Sequence, residues 1–327
     1  MPKTRSSQIS LTDTPFYHCI SRCVRRSYLC GKDKYTGKSF EHRKSWVEER
    51  LLKLAGVFAI DVCAYAVMSN HVHVVLHVNT AKAREWSVRR VLIQWHKLHK
   101  GTLLTRKYLA RESLNDAEMM SVEATAEIYR QRLFDISWFM RNLNEYIARA
   151  ANAEDECTGR FWEGRFKSQA LLDEKAVLTC MVYVDLNPIR AKVAHAVDES
   201  KHTSIFRRLK ARQSGFSQPP DLMAFYDNGV TFNKDALPFN LTDYCQLVTN
   251  TALMIQQTKA HDQKVIGLPI LNLLGLSNGG WLLLTTEIEK RFCYVVGASN
   301  AMARFKRHKN LKRIRGISQA KKLFESA

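Results

Sequence analysis

The chain has 327 residues, 46% of them hydrophobic and 25% charged, with 50 Lys and Arg against 31 Asp and Glu for a formal net charge of +19. That composition is globular and excludes a disordered or collagen-like chain, and no stretch approaches the roughly 20 apolar residues of a bilayer span. The charge excess points to a polyanion, most simply nucleic acid, through phosphate neutralisation and counterion release; a merely solvated basic surface is the alternative. The first residues, Met1-Pro2-Lys3-Thr4-Arg5, lack an apolar h-region, so a cytoplasmic protein with reduced thiols is expected. Cys19 and Cys23 would stand about 13 Å apart on a strand. Neither a zinc knuckle nor a disulfide framework is indicated, and the eight scattered cysteines read as small core residues.

In chain order, Phe16 to Cys23 reads as a first strand running into a basic loop from Arg22 to Thr36 that holds Arg25 and Arg26. Glu41 to Val57 has helical periodicity, with Trp46, Leu51, Leu52 and Leu54 as its apolar stripe. Asp61 to Leu76 is an apolar run rich in β-branched residues, read as two buried strands joined at Ser69-Asn70. Ala81 to His99 is a basic helix whose buried side is Trp86, Val88, Leu92 and Trp95; residues 101–126 are polar and read as an insertion. A long helical pattern spans Glu127 to Ala151. After the turn at Thr158 to Phe166 a short strand reaches about Leu172, and Asp173 caps a helix that stops at Asn187 before Pro188. This succession implies an α+β fold, an antiparallel sheet with helices on one face. Ser214 to Pro220 reads as a linker, and the chain from Leu237 reads as helices ending in a basic segment, Arg304 to Lys322.

Chemistry concentrates in two places. His71 and His73 are one residue apart on the second central strand, so both point to one face about 7 Å apart and can converge on a divalent ion, while Val72 packs on the other side. The competing reading is a pair of core histidines satisfied by backbone carbonyls. Tyr183 and Asn187 are four residues apart, neighbours on one helical face. A tyrosine is a weak nucleophile at its free pKa near 10 and needs activation. An ion polarising the attacked phosphate supplies it, and an Asn carbonyl one turn away can complete the site. Mg²⁺ or Mn²⁺ suits such mixed imidazole and oxygen ligands. His18 is open between facing the ion, a structural role and a DNA contact; His77 is too far along the strand to be a ligand. Among the other tyrosines, Tyr146 is expected in the core and Tyr17 and Tyr65 in packing or base stacking. Trp162 and Phe166 are expected in the core, flanked by Arg160 and Arg165 as phosphate contacts.

Four segments carry a resemblance: Tyr17-His18-Cys19-Ile20-Ser21-Arg22, Met68-Ser69-Asn70-His71-Val72-His73, Gly159-Arg160-Phe161-Trp162-Glu163-Gly164-Arg165-Phe166 and Tyr183-Val184-Asp185-Leu186-Asn187-Pro188. In this order they resemble the HUH single-strand transposases with one catalytic tyrosine, and within them the REP-associated tyrosine transposases of bacteria. The resemblance covers a domain of residues 10–195, with the insertion at about 101–126, and implies nothing about 196–327, read as a helical, basic C-terminal extension. It implies a ferredoxin- or RRM-like sheet, His71, His73 and Asn187 as ligands of a divalent metal, and Tyr183 as the nucleophile. Attack on a DNA phosphate would leave a 5′-phosphotyrosine and a free 3′-hydroxyl, on single-stranded DNA carrying imperfect palindromic hairpins. Arg22, Arg25, Arg26, Arg160 and Arg165 would contact the DNA. The implied protein is a monomer or homodimer with no membrane attachment, associated with the nucleoid when bound to DNA. The alternative is a non-catalytic regulator that binds hairpin nucleic acid on the same fold, and a replication initiator or relaxase is a third reading. The basic end is open between a duplex-gripping face and a solvated helix surface.

Overall fold

The computed structural model describes residues 8–24, 29–33, 37–226, 236–257 and 269–325. Strand β1 (Phe16–Arg22) is followed by helix α1 (Arg43–Ala55), by strands β2 (Ile60–Val67) and β3 (His71–Val78) and, after a block of helices, by strand β4 (Lys167–Leu171). The four pair antiparallel in the order β2-β3-β1-β4, the α+β arrangement of a ferredoxin-like unit. The β2–β3 turn is at Ser69-Asn70 as expected, closed by the Met68 amide donating to the His71 carbonyl at 2.9 Å. In β3 every residue after His71 is buried, which is why its sequence is nearly continuous in apolar residues.

The helical block divides more finely than the periodicity suggests. Residues expected as one helix from Ala81 to His99 form α2 (Thr80–Glu85) and α3 (Val88–His96), because Ser87 caps the second by accepting from the Arg90 amide. Leu92 and Trp95 are buried as expected, with Trp86 and Val88 packed at the margin of the core. The segment read as an insertion carries α4 (Leu103–Ala110) and the start of α5 (Asp116–Leu133). The pattern from Glu127 to Ala151 is interrupted in the same way: α5 ends at Leu133, and Asp135 caps α6 (Ile136–Glu154) through the Ser137 and Trp138 amides.

Both faces of the sheet are covered. Tyr65 donates to Glu48 of α1, and Asn144 of α6 donates to Ser21 at 2.9 Å, so the expected helix layer lies on the face of Val72, Val74 and Leu76. Helix α7 (Glu174–Asp185) packs on the opposite face against β2, β3 and β4. It is capped by Asp173 as expected and is followed by the short α8 (Asn187–Arg190).

The rest of the chain comprises α9 (Ser204–Gln213), β5 (Phe225–Tyr226), β6 (Leu237–Asn240), α10 (Leu241–Gln257), α11 (Pro269–Leu273), α12 (Asn278–Arg291), β7 (Val295–Val296), α13 (Ser299–His308) and α14 (Ile317–Phe324). These residues close both edges of the four-stranded sheet. β7 pairs parallel with β4. On the far side, the Val67 amide donates to the His202 carbonyl at 3.1 Å and the Met223 amide to the Val62 carbonyl at 2.9 Å. Unpaired strand edges are templates for aggregation, and covering them is a standard protection. Met302 and Phe305 of α13 and Phe324 of α14 are themselves at most 1% exposed in the core. Among the described residues no helix is long and apolar enough to cross a membrane, and none of the eight cysteines is in a disulfide.

Candidate active site

The site is a product of strand register. Position by position, β1 sets Arg22 opposite His71, Ile20 opposite His73 and His18 opposite Val75, so these side chains share one face of the sheet. His18 therefore reaches His73 on the diagonal. Its Nε2 lies 2.9 Å from His73 Nδ1, with the rings stacked at 5.1 Å. On its other side, His18 Nδ1 lies 3.4 Å from Gln169 Oε1 of β4, and Gln169 Nε2 donates to the Cys293 carbonyl at 2.7 Å. The His71 ring stands 4.7 Å from that of His73, and its Nδ1 is 2.5 Å from Asn70 Oδ1. Burial lowers the pKa of all three imidazoles, that of His71 to about 4, with Arg22 acting on it in the same direction.

Tyr183 enters this face from α7. It is 5% exposed, and its ring lies 5.9 Å from His73 and 6.2 Å from His18. Its hydroxyl donates to Glu289 Oε1 at 2.7 Å, and the same oxygen is 3.6 Å from His73 Nδ1. The Arg190 guanidinium covers the phenol ring at 3.9 Å and donates to the Tyr183 carbonyl at 3.3 Å. Burial raises the phenol well above its ordinary pKa; Arg190 opposes the shift and Glu289 adds to it.

Asn187 is not on the same helix as Tyr183, as the spacing suggests, but opens α8. Helix α7 stops at Asp185, since Pro188 can donate no amide to continue it. Asn187 is 6% exposed, and its Nδ2 is buried without a hydrogen-bond partner among the described residues.

Arg22 is exposed at the His71 end of β1. The loop carrying Arg160 and Arg165 is held beside it, through the Glu163 amide on the Arg22 carbonyl at 2.8 Å and the Cys23–Trp162 bridge. Both loop arginines are exposed. Arg25 and Arg26 lie outside the described residues.

Several side expectations resolve. Tyr17 and Tyr65 are wholly buried packing residues. His77 bonds Asp61 at 3.1 Å, away from the cluster. Phe166 is buried, whereas Trp162 is only partly so and donates to the Asn144 carbonyl at 2.8 Å. Tyr146, expected in the core, is 47% exposed with Arg50 stacked on it at 4.6 Å, because Leu143 and Ile147 take the buried face of α6.

Sequence reasoning missed Glu289, Gln169 and Arg190. Arg190 follows Tyr183 by seven residues and a helical extrapolation would have found it. Glu289 is 106 residues from Tyr183, and no local pattern signals it.

One nitrogen of His18, one of His73 and a carboxylate oxygen of Glu289 lie within 4.8 Å of one another, a cluster able to hold a metal ion. The wider donor set fits a divalent cation too. It offers imidazoles held neutral by burial and a carboxylate.

No protein-family model matches the chain, and no curated protein matches it. Among solved structures, a REP-associated tyrosine transposase bound to a REP hairpin is similar over 73% of this chain and 99% of its own, at 12% identity and a TM-score of 0.38. An overlap that loose carries no argument about activity here.

Proposed function

We propose that the protein is a metal-dependent tyrosine transposase that cleaves and rejoins single-stranded DNA carrying palindromic hairpins. The observation that carries the reading is the meeting of Tyr183 with the His71-His73 face, a ring contact of 5.9 Å between a helix and a central strand. A packing role alone does not require that combination in a strongly basic protein.

His71, His73 and Asn187 are the ligands of the ion, which would be Mg²⁺ or Mn²⁺. When bound, the ion polarises the attacked phosphate. The Tyr183 hydroxyl is the nucleophile: its oxygen bonds to phosphorus, the bond from phosphorus to the 3′-oxygen breaks, and a 5′-phosphotyrosine and a 3′-hydroxyl result. Glu289 accepts the phenolic proton across the 2.7 Å hydrogen bond, and that proton balances the departing 3′-oxygen. Rejoining is the reverse and needs no external energy. Burial raises the phenol further above its ordinary pKa, so the hydroxyl is a still weaker acid in the resting protein and needs the ion and Glu289 to act as nucleophile. Arg22, Arg160 and Arg165 supply phosphate contacts beside the site, and Arg25 and Arg26, which lie outside the described residues, are further phosphate contacts in this reading.

The test is a nicking assay with hairpin single strands and Mn²⁺, scoring the covalent adduct. Wild type should form it, and Tyr183→Phe should form none while still binding the DNA. An adduct with Tyr183→Phe removes the nucleophile assignment. Wild-type binding with no adduct in either metal, across several hairpins, identifies the non-catalytic regulator instead.

A further inference from the structure

We propose that His18 is a positioning residue that sets the tautomer of His73, in a hydrogen-bond relay running from the Cys293 carbonyl through Gln169 and His18 to the ion ligand. The inference rests on the reading of His71 and His73 as ligands and explains how they are readied. The relay begins at the C-terminal part of the chain, where the Cys293 carbonyl takes a hydrogen bond from Gln169 Nε2 at 2.7 Å. A carbonyl only accepts, so the amide nitrogen of Gln169 is committed there and its oxygen faces His18. His18 Nδ1, at 3.4 Å from that oxygen, must then be the N–H of the ring.

A wholly buried imidazole carries one proton, so His18 Nε2 is a lone pair. At 2.9 Å it can only receive a proton donor, which is His73 Nδ1. The remaining nitrogen of His73, Nε2, is left bare. His71 reaches the same state by a shorter route, since its Nδ1 faces the side-chain oxygen Oδ1 of Asn70 at 2.5 Å and its Nε2 is the lone pair. Both histidines therefore present Nε2 lone pairs before any ion arrives. Metal-ligating histidines are commonly held in this way by a partner on the other ring nitrogen.

The relay also ranks the two places an ion could sit. An ion bound jointly by His18 Nε2 and His73 Nδ1 would break the hydrogen bond between them and strip the His73 tautomer of its anchor. An ion on the Nε2 side of His71 and His73 leaves every link intact. The C-terminal region is thereby tied to the site, because Cys293 lies between α12 and β7. Closing the β4 edge with β7 and orienting an ion ligand on β3 are two results of one packing arrangement.

Two measurements test this. The first is the ¹⁵N–¹H long-range NMR correlation of the histidine rings in the metal-free wild type at pH 8. The expected pattern is His73 protonated at Nδ1 and bare at Nε2; a proton on His73 Nε2 overturns the relay. The second is Mn²⁺ binding followed by the electron paramagnetic resonance of the free ion. His18→Phe removes the acceptor and should weaken binding about 10- to 100-fold. His18→Gln, whose side-chain oxygen stands near the place of Nε2, should restore most of it. His18→Phe binding Mn²⁺ as tightly as wild type refutes the role, and so does a His18→Gln that rescues nothing while staying folded. If His18→Phe does not fold, the ring correlation in the wild type decides alone. Wild type that binds no Mn²⁺ but shows the expected tautomer refutes the ion site of the proposed function and leaves the relay standing.

Discussion

Asp185 lies two residues after the candidate nucleophile, and its replacement by Ala should be among the most damaging single changes in the chain. The carboxylate is 1% exposed and accepts three hydrogen bonds, from Ser204 Oγ at 2.5 Å, the Ile205 amide at 3.0 Å and Tyr244 Oη at 2.5 Å. It thereby ties the end of α7 to α9 and α10. Each buried donor left unsatisfied costs about 1 to 3 kcal/mol, so three orphans cost about 3 to 9 kcal/mol. Part is returned, because burial has pushed Asp185 up to about 6 despite its donors. Keeping it ionised at pH 7 therefore costs the native state about 2 to 3 kcal/mol. The net expectation for Asp185→Ala at pH 7 is a loss of roughly 3 kcal/mol, a large share of the usual 5 to 15 kcal/mol. The sign of the pH effect follows from the raised value. The stability from this group is complete below about pH 4 and is lost as pH rises through about 6, so the Ala variant should fall further behind wild type at pH 5 than at pH 7. Asp185→Asn keeps an oxygen for Ser204 and Ile205 without the charge and should stay close to wild type. Urea unfolding followed by circular dichroism at both pH values measures this, with the denaturant slope checked for constancy. A loss below about 0.5 kcal/mol for Asp185→Ala at both pH values, the range of an ordinary surface change, would refute the reasoning.

Two further outcomes are expected. His18, His71 and His73 are depressed by burial, so the unfolded chain takes up their protons first and the stability they give is present above about pH 6.5 and lost as pH falls. Their protons oppose the single one of Asp185, so the protein should lose stability as pH falls from 6.5 to 5; equal urea midpoints at those two values would exclude neutral buried histidines. Deleting residues 301–327 would remove core side chains along with charge, so the basic end is better tested by Gln at Arg304, Arg307, Lys312 and Arg313, which are exposed and carry no ion pair among the described residues. If that face grips a hairpin stem, the slope of log affinity against log salt should fall by about 0.9 for each phosphate no longer neutralised; an unchanged slope marks it as solvated surface.

The local parts of this protein were legible in the sequence because local rules govern them. Period-two alternation on a buried strand set His71 and His73 on one face, Asp173 announced a helix start, and the hairpin followed from an apolar run broken at Ser69-Asn70. Even there, capping by Ser87 and Asp135 divided helices that periodicity alone joined, since one capping side chain outweighs a continuing stripe. Tyr146 had the spacing of a core residue, yet only the neighbours of α6 decide which flank of a helix faces water. The rest depended on contacts distant in sequence. His18 needed the β1–β3 register to meet His73, Gln169 needed the Cys293 carbonyl to be oriented, and Glu289 came from a segment that no motif connected to Tyr183. A strand fixes which side its residues face by covalent geometry alone, but which residues approach them is settled only when the whole chain packs and closes the sheet edges.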